Sequence, residues 1–467
     1  MNVLPLKMAK GLKLSILLEK PAEIMIPLIF IDNKLFYFHF AFAKIIQQFN
    51  VYLINKLKFS HLIKIIMNNA YIIDAVRTPV GRYGGVLSSI RPDDLAALVI
   101  KALLERSKSI DIKLIEDVIL GCTNQAGEDN RNIARMASLL AGLPVEVGGV
   151  TVNRLCASGM QAIMDAARAV MVGDGDIFIA GGVESMSRAP YIISKSEKPF
   201  DRKPEIYDST IGWRFTNKKL AEKYFPFSMG ETAENIAEKW KVSREEQDLF
   251  AYNSQQKYKL AFEGGKFKDE IIPVHVRQKK EEQLLIDTDE HPRPDITLEN
   301  LSKLKPVFKE NGSVTAGNSS GINDGAAALL VVSEQMVKKL NLKPIAKIIS
   351  MAIAGVDPAF MGIGPIPATK KALKRAGLKI EDIDLIELNE AFAVQSIVCI
   401  NELKLNSKII NVNGGAIALG HPLGCTGARI TTTLLHEMKR RNDIKYGLAT
   451  LCVGVGQGAS IILERIK

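Results

Sequence analysis

The stretch TVNRLCASGM, residues 151–160, runs from the end of a strand-like segment through a turn into a helix of small apolar residues. A second stretch, VNGGAIALGHPLGCTGAR at residues 412–429, repeats this order of strand, turn and helix. Matching Ile-Glu-Asp runs beginning at Ile115 and Ile380 precede the two stretches, and their offset of roughly 265 residues is too long for a solenoid repeat. The sequence therefore predicts two packed copies of one α/β unit, with a ligand site between equivalent loops.

Short β-branched runs alternate with helical stretches through most of the chain, as expected of an α/β protein. The strand candidates are residues 71–75, 118–120, 149–152, 176–180, 326–332, 345–350, 384–388, 409–412, 447–451 and 460–464. Residues 185–312 are rich in Pro, Lys and Glu, with helices predicted at 232–241 and 244–262, and they are too long for a bare loop. We interpret them as an inserted subdomain that covers the substrate. The predicted halves are residues 67–184 with 313–337, and residues 338–467.

The composition is that of an ordinary globular protein, with 467 residues, 47% apolar and 24% charged. The net charge of +10 is concentrated near the start of the chain, because residues 1–66 contain nine Lys, no Arg and three acidic residues. The rest of the chain is close to balanced and has no cluster that could follow a phosphate backbone. We therefore do not expect nucleic acid as a partner.

Residues 1–66 also differ in kind, with seven of the 18 Phe and a single Gly. The apolar runs at 24–31 and 35–43 are each interrupted by polar residues and fall short of the ~20 residues that a membrane span needs. A transit peptide would be richer in Arg and Ser. We favour the interpretation that this segment is translated upstream sequence, that Met67 is the working start, and that there is no membrane anchor.

The chain has five cysteines, widely spaced and without a secretory signal, which argues against a disulfide framework. No Cys-x-x-Cys or His/Cys pair has the spacing of metal ligands, so no metal site is predicted. Free thiols in a reducing cytoplasm fit this pattern best.

Two residues in the repeated turns have the chemistry of a nucleophile and a base. Cys156 precedes a buried helix, whose positive N-terminal end favours thiolate over thiol. His421, one of six histidines, lies in a turn dense in glycine, where a ligand or a facing loop can approach closely. The alternatives are a small core cysteine and a structural histidine. The repeat favours a Cys156–His421 pair, because it predicts that the two turns meet.

Two further candidates also follow strands. Cys452 lies in TLCVGVGQG and Asn389 in NEAFA. Alone, each signal is weak, and an Asn at this place is often a helix N-cap.

Taken together, the motifs at 153–159, 389–393, 420–429 and 452–458 resemble the thiolase family, as do residues 181–187 and 316–321. The resemblance spans residues 67–467. It implies duplicated α/β domains in a layered αβαβα arrangement with an inserted loop subdomain. It also implies an acyltransferase that makes or cleaves the carbon–carbon bond of a 3-oxoacyl-CoA, with coenzyme A (CoA) as co-substrate, no permanently bound cofactor, and a homodimer or homotetramer.

The resemblance assigns a role to each candidate. Cys156 corresponds to the nucleophile that carries the acyl group, and His421 to the histidine that takes its proton. Asn389 corresponds to the asparagine that fixes a water, which with His421 stabilises the enolate. Cys452 corresponds to the cysteine that gives or takes the proton at C2. The backbone N–H groups of Cys156 and Gly454 correspond to a second oxyanion hole.

The resemblance also suggests contacts to CoA. Ser320 corresponds to a serine that contacts the pantetheine. Arg277 and Lys279 lie where the family places basic contacts to the CoA phosphates. A solvated charge run is an almost equally good interpretation, since Glu281 and Glu282 follow.

The subtype depends on finer features. The biosynthetic acetoacetyl type usually has His where this chain has Tyr191. The stretches at 124–132 and 210–215 are similar to 3-oxoadipyl-CoA thiolases of aromatic-compound breakdown, with general 3-ketoacyl-CoA thiolases of β-oxidation as the next alternative. A buried substrate carboxylate needs a cation, and we expect Arg214 to supply it, with Arg131 in reserve and a surface salt bridge as the alternative for both.

Three rival functions fit less well. A ketoacyl synthase shares the fold but lacks the second cysteine, Cys452. A non-catalytic acyl-CoA-binding relative would be expected to lack Cys156 or His421. A Cys-His-Asn protease could be built from Cys156, His421 and Asn389, but nothing in the sequence indicates a propeptide or secretion.

Overall fold

The computed structural model describes residues 68–196, 198–200, 202–277 and 282–466, together with four short strands nearer the start. Contacts divide the chain into two units, Met1–Met67 and Asn68–Lys467. In the first unit, the strands Leu4–Lys7, Lys13–Leu17, Leu28–Ile31 and Lys34–Leu35 form an antiparallel sheet. None of the strands predicted from the sequence lies in this unit, and the interpretation of this segment as upstream sequence stays a prediction. Among the described residues, no helix has both the length and the apolar character that crossing a membrane requires.

The second unit contains the rest of the fold. Its first half and the insertion contain β1 (Ala70–Arg77), β2 (Gly81–Arg82), α1 (Pro92–Arg106), β3 (Asp117–Gly121), α2 (Ile133–Leu140), β4 (Gly148–Val152), α3 (Ser158–Val172), β5 (Ile177–Ser185), β6 (Tyr191–Ile193), β7 (Ile206–Asp208), α4 (Lys218–Lys223), α5 (Met229–Trp240), α6 (Arg244–Glu263), β8 (Val274–Arg277), β9 (Gln283–Ile286) and α7 (Leu298–Ser302). After the insertion follow β10 (Asn323–Ser333), α8 (Glu334–Lys339), β11 (Ala346–Gly355), α9 (Pro365–Ala376), β12 (Leu385–Leu388), α10 (Ala393–Leu403), α11 (Ala416–Leu419), α12 (Leu423–Arg440), β13 (Tyr446–Val453) and β14 (Gln457–Arg465).

Ten strands form one sheet in the order β12-β13-β14-β11-β1-β10-β5-β3-β4, with β2 beside β10. The order is the same in each half when read from the centre, because β1, β10, β5 and β3 correspond to β11, β14, β13 and β12. The outer strands of each half pair in parallel: β5 with β3 and β3 with β4 in the first half, and β13 with β12 in the second. The pairs nearer the centre of each half are antiparallel. The halves join where Ile72 pairs with Ala346. The predicted duplication is therefore confirmed.

Three apolar cores define the layers. The central core contains α3 and α12 together with the inner faces of both half-sheets. A second core packs α1 and α2 on the outer face of the first half-sheet, and a third packs α9 and α10 on the outer face of the second. Helix α3 lies in the centre because most of its surface is apolar and buried; only the stripe that contains Arg168 and Val172 is exposed. The layers follow the predicted order αβαβα.

One predicted strand is wrong. Residues 409–412 do not form a strand: Ser407–Ile409 is a short 3₁₀ turn, and Ile410 makes only an isolated bridge to Ile386. The chain then turns at Asn411, whose φ of 44° is left-handed and ends any extended run. The other predicted strands are present with longer or slightly shifted ends.

The insertion contains the two predicted helices, α5 and α6. Each begins with a capping box, Ser228 with Glu231 and Ser243 with Glu246, which satisfies the first free N–H groups of the helix. Helix α5 packs with α10 in an apolar cluster that also contains Cys452. The insertion thereby covers the side of the second half on which this cysteine lies.

Candidate active site

Cys156 lies in a tight turn between β4 and α3. The turn is held by two hydrogen bonds, from Leu155 N–H to Asn153 Oδ1 (2.9 Å) and from Arg154 N–H to Ser158 Oγ (2.9 Å). Leu155 has a φ of 46°, a left-handed conformation that costs energy for a branched residue and that concentrates at functional sites. The turn presents Cys156, which is half-buried, just before the helix begins.

Burial raises the pKa of the Cys156 thiol, although the Gly454 N–H donates a hydrogen bond to its sulfur and acts in the opposite direction. The sequence led us to expect that the helix end favours the thiolate; removal from water acts in the opposite direction and has the larger effect on the pKa. At rest Cys156 is a thiol, and its activation requires a base.

His421 lies in the equivalent turn before α12 and is buried. Burial, followed by the nearby positive charge of Arg429, lowers the pKa of His421 to about 3, so the ring is neutral. Its Nδ1 lies 2.7 Å from the Thr426 hydroxyl, which itself donates to the Pro422 carbonyl at 2.8 Å. Since a carbonyl can only accept, Nδ1 carries the hydrogen and Nε2 is the basic nitrogen.

The starts of α3 and α12 are in direct contact. An ideal Cβ on Gly159 would lie 2.9 Å from the Gly424 carbonyl oxygen, so the glycine is needed for this approach. The buried Glu184 fixes the start of α12 against the loop after β3 by accepting hydrogen bonds from the N–H groups of Gly424 (2.7 Å), Thr123 (3.0 Å) and Asn124 (3.1 Å). The turns of Cys156 and His421 are thus joined across the two halves, as the repeat predicts.

Cys452 is the second-last residue of β13, which ends at Val453 directly before the hairpin turn that contains Gly454. It is 1% exposed, and burial together with the neighbouring Cys156 raises the pKa of Cys452 well above its usual value. Its thiol donates a hydrogen bond to Gln395 Oε1 at 2.8 Å. Cys452 is therefore also a thiol at rest, next to Cys156 and with its proton directed at an amide.

Asn389 follows β12, and its main-chain N–H donates to the Thr450 carbonyl at 3.0 Å. The alternative that it caps a helix is wrong, because α10 begins at Ala393 with Phe392 at the N-cap. Its side chain is 1% exposed, and neither amide atom meets a hydrogen-bond partner among the residues that the structure describes. Such a buried amide is free to bind a small polar ligand.

Ser320 lies beside the Asn389 loop, since its N–H donates to the Ala391 carbonyl at 3.0 Å. Arg277 is exposed at the end of β8, in a hairpin that packs Val274 and Val276 into the outer core of the first half. Lys279 lies outside the described residues. The assignment of CoA contacts to these residues stays a prediction.

The two stretches that suggest the subtype are neighbours. Asn124 Nδ2 lies 3.4 Å from Ser209 Oγ, which joins the loop at 124–132 to the loop at 209–215. Arg214, in the second loop, is half-buried and donates a long hydrogen bond (3.4 Å) to the Ser209 carbonyl. No ion pair of Arg214 with a carboxylate occurs in the described ranges. Arg131, in the first loop, is exposed.

Three residues of the site had no role assigned from the sequence: Gln395, Thr426 and Glu184. Each lies inside a recognised motif or directly after one, two of them within helices. Their burial in a region of small apolar residues was the available signal, because buried polar side chains are nearly always hydrogen-bonded to a specific partner.

The comparisons with known proteins agree with this arrangement. Residues 70–335 match the thiolase N-terminal domain, and residues 342–465 match the thiolase C-terminal domain. The chain is 56% identical to the 3-oxoadipyl-CoA/3-oxo-5,6-dehydrosuberyl-CoA thiolase of Escherichia coli K12, over 86% of this chain and 100% of that protein. Over the same shares it is 54% identical to the beta-ketoadipyl-CoA thiolase of Acinetobacter baylyi.

A solved structure has the same fold. The crystal structure of human mitochondrial 3-ketoacyl-CoA thiolase in complex with CoA matches 86% of this chain and 99% of its own, with a TM-score of 0.80 and 42% identity. The fold and the family predicted from the four motifs are confirmed. The chain belongs to the thiolase family and is an acyltransferase.

Proposed function

We propose that this thiolase cleaves 3-oxoadipyl-CoA with CoA, giving succinyl-CoA and acetyl-CoA through an acyl-enzyme on Cys156. The observation that carries the proposal is that Cys156, His421 and Cys452, which come from both halves, lie together at one site. Arg214 lies in a loop that is joined to the loop at 124–132. General 3-ketoacyl-CoA and acetoacetyl-CoA thiolysis are the competing functions.

The first step is acylation. His421 takes the Cys156 proton through Nε2, and the sulfur attacks the C3 carbonyl of the substrate. Because the Gly454 N–H already reaches the sulfur, it is close to the carbonyl oxygen once the C–S bond forms. Together with the Cys156 N–H it stabilises the negative charge on that oxygen.

The second step breaks the C2–C3 bond and releases the enolate of acetyl-CoA. The unpartnered amide of Asn389 fixes a water that, with protonated His421, stabilises the enolate oxygen. Cys452 gives its proton to C2 and becomes a thiolate. CoA gives its thiol proton to Cys452 and attacks the Cys156 thioester. The C–S bond to Cys156 breaks, and the released sulfur takes its proton back from His421.

CoA and its acyl thioesters are the substrates of this family, and we propose that Ser320 contacts the pantetheine and that Arg277 and Lys279 contact the phosphates. A homodimer or homotetramer in the cytoplasm completes the proposal. The oligomer is supported by the outermost strand, β4, which leaves Val150 41% exposed. The cytoplasmic location is supported by the chemistry, because both site cysteines must stay reduced.

The substrate assignment depends on the free carboxylate of the 3-oxoadipyl chain. Arg214 is a suitable partner because it is half-buried and its neighbours are anchored: Trp213 Nε1 donates to the Phe227 carbonyl at 2.9 Å, and Phe215 packs edge-on against Tyr207. An arginine fork can bind both oxygens of a carboxylate.

We expect Arg214→Ala to lower kcat/KM for 3-oxoadipyl-CoA by roughly tenfold or more, the scale of a lost charge-assisted hydrogen bond. Turnover of acetoacetyl-CoA, which has no carboxylate, should barely change. The kcat/KM of Arg214→Lys for 3-oxoadipyl-CoA should lie between those of the parent enzyme and Arg214→Ala, since lysine keeps the positive charge but cannot bind both carboxylate oxygens. Arg131→Ala is the matched control from the adjoining loop.

Two outcomes would contradict the assignment. If both substrates lose activity equally, Arg214 supports the fold rather than the carboxylate. If the parent enzyme prefers unbranched 3-oxoacyl-CoA chains without a carboxylate, the general 3-ketoacyl-CoA function is the better one.

A further inference from the structure

Gln395 is a buried glutamine on α10 that contacts Cys452 directly. Its side chain is 0% exposed and is packed tightly, since an ideal Cβ on Gly362 would lie 2.6 Å from the Gln395 Cβ. Its Oε1 receives the Cys452 thiol hydrogen bond (2.8 Å). Its Nε2 donates to the Asn389 carbonyl (3.3 Å) and to Ser396 Oγ (2.6 Å). All of its polar atoms are thus engaged at the site.

The orientation of this amide is fixed by its partners. The Asn389 carbonyl can only accept a hydrogen bond, so it requires the NH₂ end of Gln395. Ser396 donates its own hydroxyl hydrogen to the Phe392 carbonyl at 3.1 Å, which leaves its oxygen as a second acceptor for the same NH₂ group. The oxygen of the amide must therefore face Cys452, and the cysteine must be the donor.

We propose that Gln395 is a positioning residue that holds Cys452 as a thiol and fixes it relative to the Asn389 loop. This inference rests on the proposed function. One rigid amide connects the group that protonates the enolate carbon with the loop that stabilises the enolate oxygen. Gln395 thereby sets the geometry at both ends of the enolate.

The fixed amide also favours one direction of proton transfer. During cleavage, the S–H bond of Cys452 breaks, the enolate electron pair takes the proton to form the C2–H bond, and a thiolate remains. That thiolate faces the Gln395 oxygen, which cannot donate a hydrogen bond to it. The thiolate is destabilised and readily takes the proton of the incoming CoA thiol, which returns Cys452 to its acid form.

Replacement of Gln395 by Met tests the proposal, since Met has a similar length and its sulfur is only a weak acceptor. In a Cys156→Ser background, alkylation of Cys452 by iodoacetamide across a pH series reports the midpoint of its ionisation. We expect Gln395→Met to move that midpoint to lower pH. With Cys156 intact, acylation by acetyl-CoA should persist while thiolysis falls roughly tenfold, as for one lost hydrogen bond.

Two further variants complete the experiment. Gln247→Met is the control, because Gln247 is equally buried and donates to Ser313 Oγ (2.9 Å), away from Cys452. It should leave the midpoint and the balance of the half-reactions unchanged. Ser396→Ala removes the shorter of the two bonds that fix the NH₂ group and leaves only the longer one (3.3 Å) to the Asn389 carbonyl. The amide can then turn its NH₂ group toward the sulfur part of the time, so we expect a smaller shift of the midpoint to lower pH, and this variant carries the test if Gln395→Met does not fold.

An unchanged alkylation midpoint in the folded variants would overturn the proposal, as would equal losses in acylation and thiolysis. Failure of the proposed function itself has a different signature, because the parent enzyme would then form no thioester on Cys156 or would not cleave 3-oxoadipyl-CoA.

Discussion

At the scale of single residues, burial determines the chemistry of this site. It raises the pKa of both Cys156 and Cys452 and lowers that of His421. The resting site is therefore neutral, with two thiols and one imidazole. Charge forms only when substrate is present, at the positions where hydrogen-bond donors such as the Gly454 N–H are already in place.

Because Cys156 and Cys452 act on different atoms, their roles can be separated. We expect Cys452→Ala to leave acylation of Cys156 by acetyl-CoA largely intact, while carbon–carbon bond cleavage falls by about 100-fold or more, the scale of a lost general acid. Mass spectrometry of the enzyme incubated with acetyl-CoA measures the first half-reaction and maps the thioester.

A thioester on Cys425 in place of Cys156 would contradict the assignment of Cys156 as the nucleophile. An equal loss of both half-reactions in the Cys452→Ala variant would show that this cysteine is not a specific acid. The variant Cys425→Ala, which changes a buried thiol on α12, serves as the control.

The sequence identified residues whose type is rare and whose position in a turn is informative, such as Cys156 and His421. Gln395 and Thr426 were missed because a polar residue within a helix has no spacing that distinguishes a site contact from an ordinary buried hydrogen bond. The direction of the pKa shift of Cys156 could not be predicted either, since the helix end is visible in the sequence but the depth of burial is not.

At the scale of elements, the loop at 122–132 contains a titratable group that opposes folding at high pH. Burial, followed by the negative charge of Glu184, raises the pKa of Asp129 from 3.8 to about 7. Between those pH values the unfolded chain releases the Asp129 proton while the folded chain keeps it. The free energy of unfolding therefore falls as the pH rises through this range.

We expect Asp129→Asn to stabilise the protein relative to the parent at pH 8 and to have little effect at pH 4, since asparagine resembles the protonated form. The gain is on the order of a few kcal/mol at most, as a pKa unit corresponds to about 1.4 kcal/mol. Urea unfolding at both pH values measures it, and the exposed Asp174→Asn controls for the lost charge. A gain that is the same at pH 4 and pH 8 would contradict the titration.

Long elements of the two halves were predictable because their buried faces give β-branched runs or apolar helices of sufficient length. The short hairpins β6–β7 and β8–β9 were not predicted, since each strand has only three or four residues, and all except β8 expose most of them. The false strand at 409–412 has the right composition, but the left-handed Asn411 turns the chain away.

At the scale of the whole molecule, the fold of the second unit begins at Asn68, whose N–H donates to the Met171 carbonyl at 3.1 Å, and β1 follows at Ala70. The family match also begins at residue 70. We therefore expect a chain starting at Met67 to keep the kcat/KM and the Tm of the full chain.

A chain starting at Val76 is the matched control. It lacks Ile72 and Ala75, both fully buried in the central core, and should not fold. If the Met67 chain aggregates or loses activity, residues 1–66 contribute to the enzyme and the proposed boundary is wrong.

The matching strand order of the two half-sheets has a consequence for descent. A single-copy ancestor that paired with itself would have carried the same turn on both partners, so any change to one loop appeared in both. Once the copies shared a chain, each loop was inherited separately. One of the two equivalent turns could then acquire the nucleophile Cys156 and the other the base His421, because a change in one turn no longer changed the other.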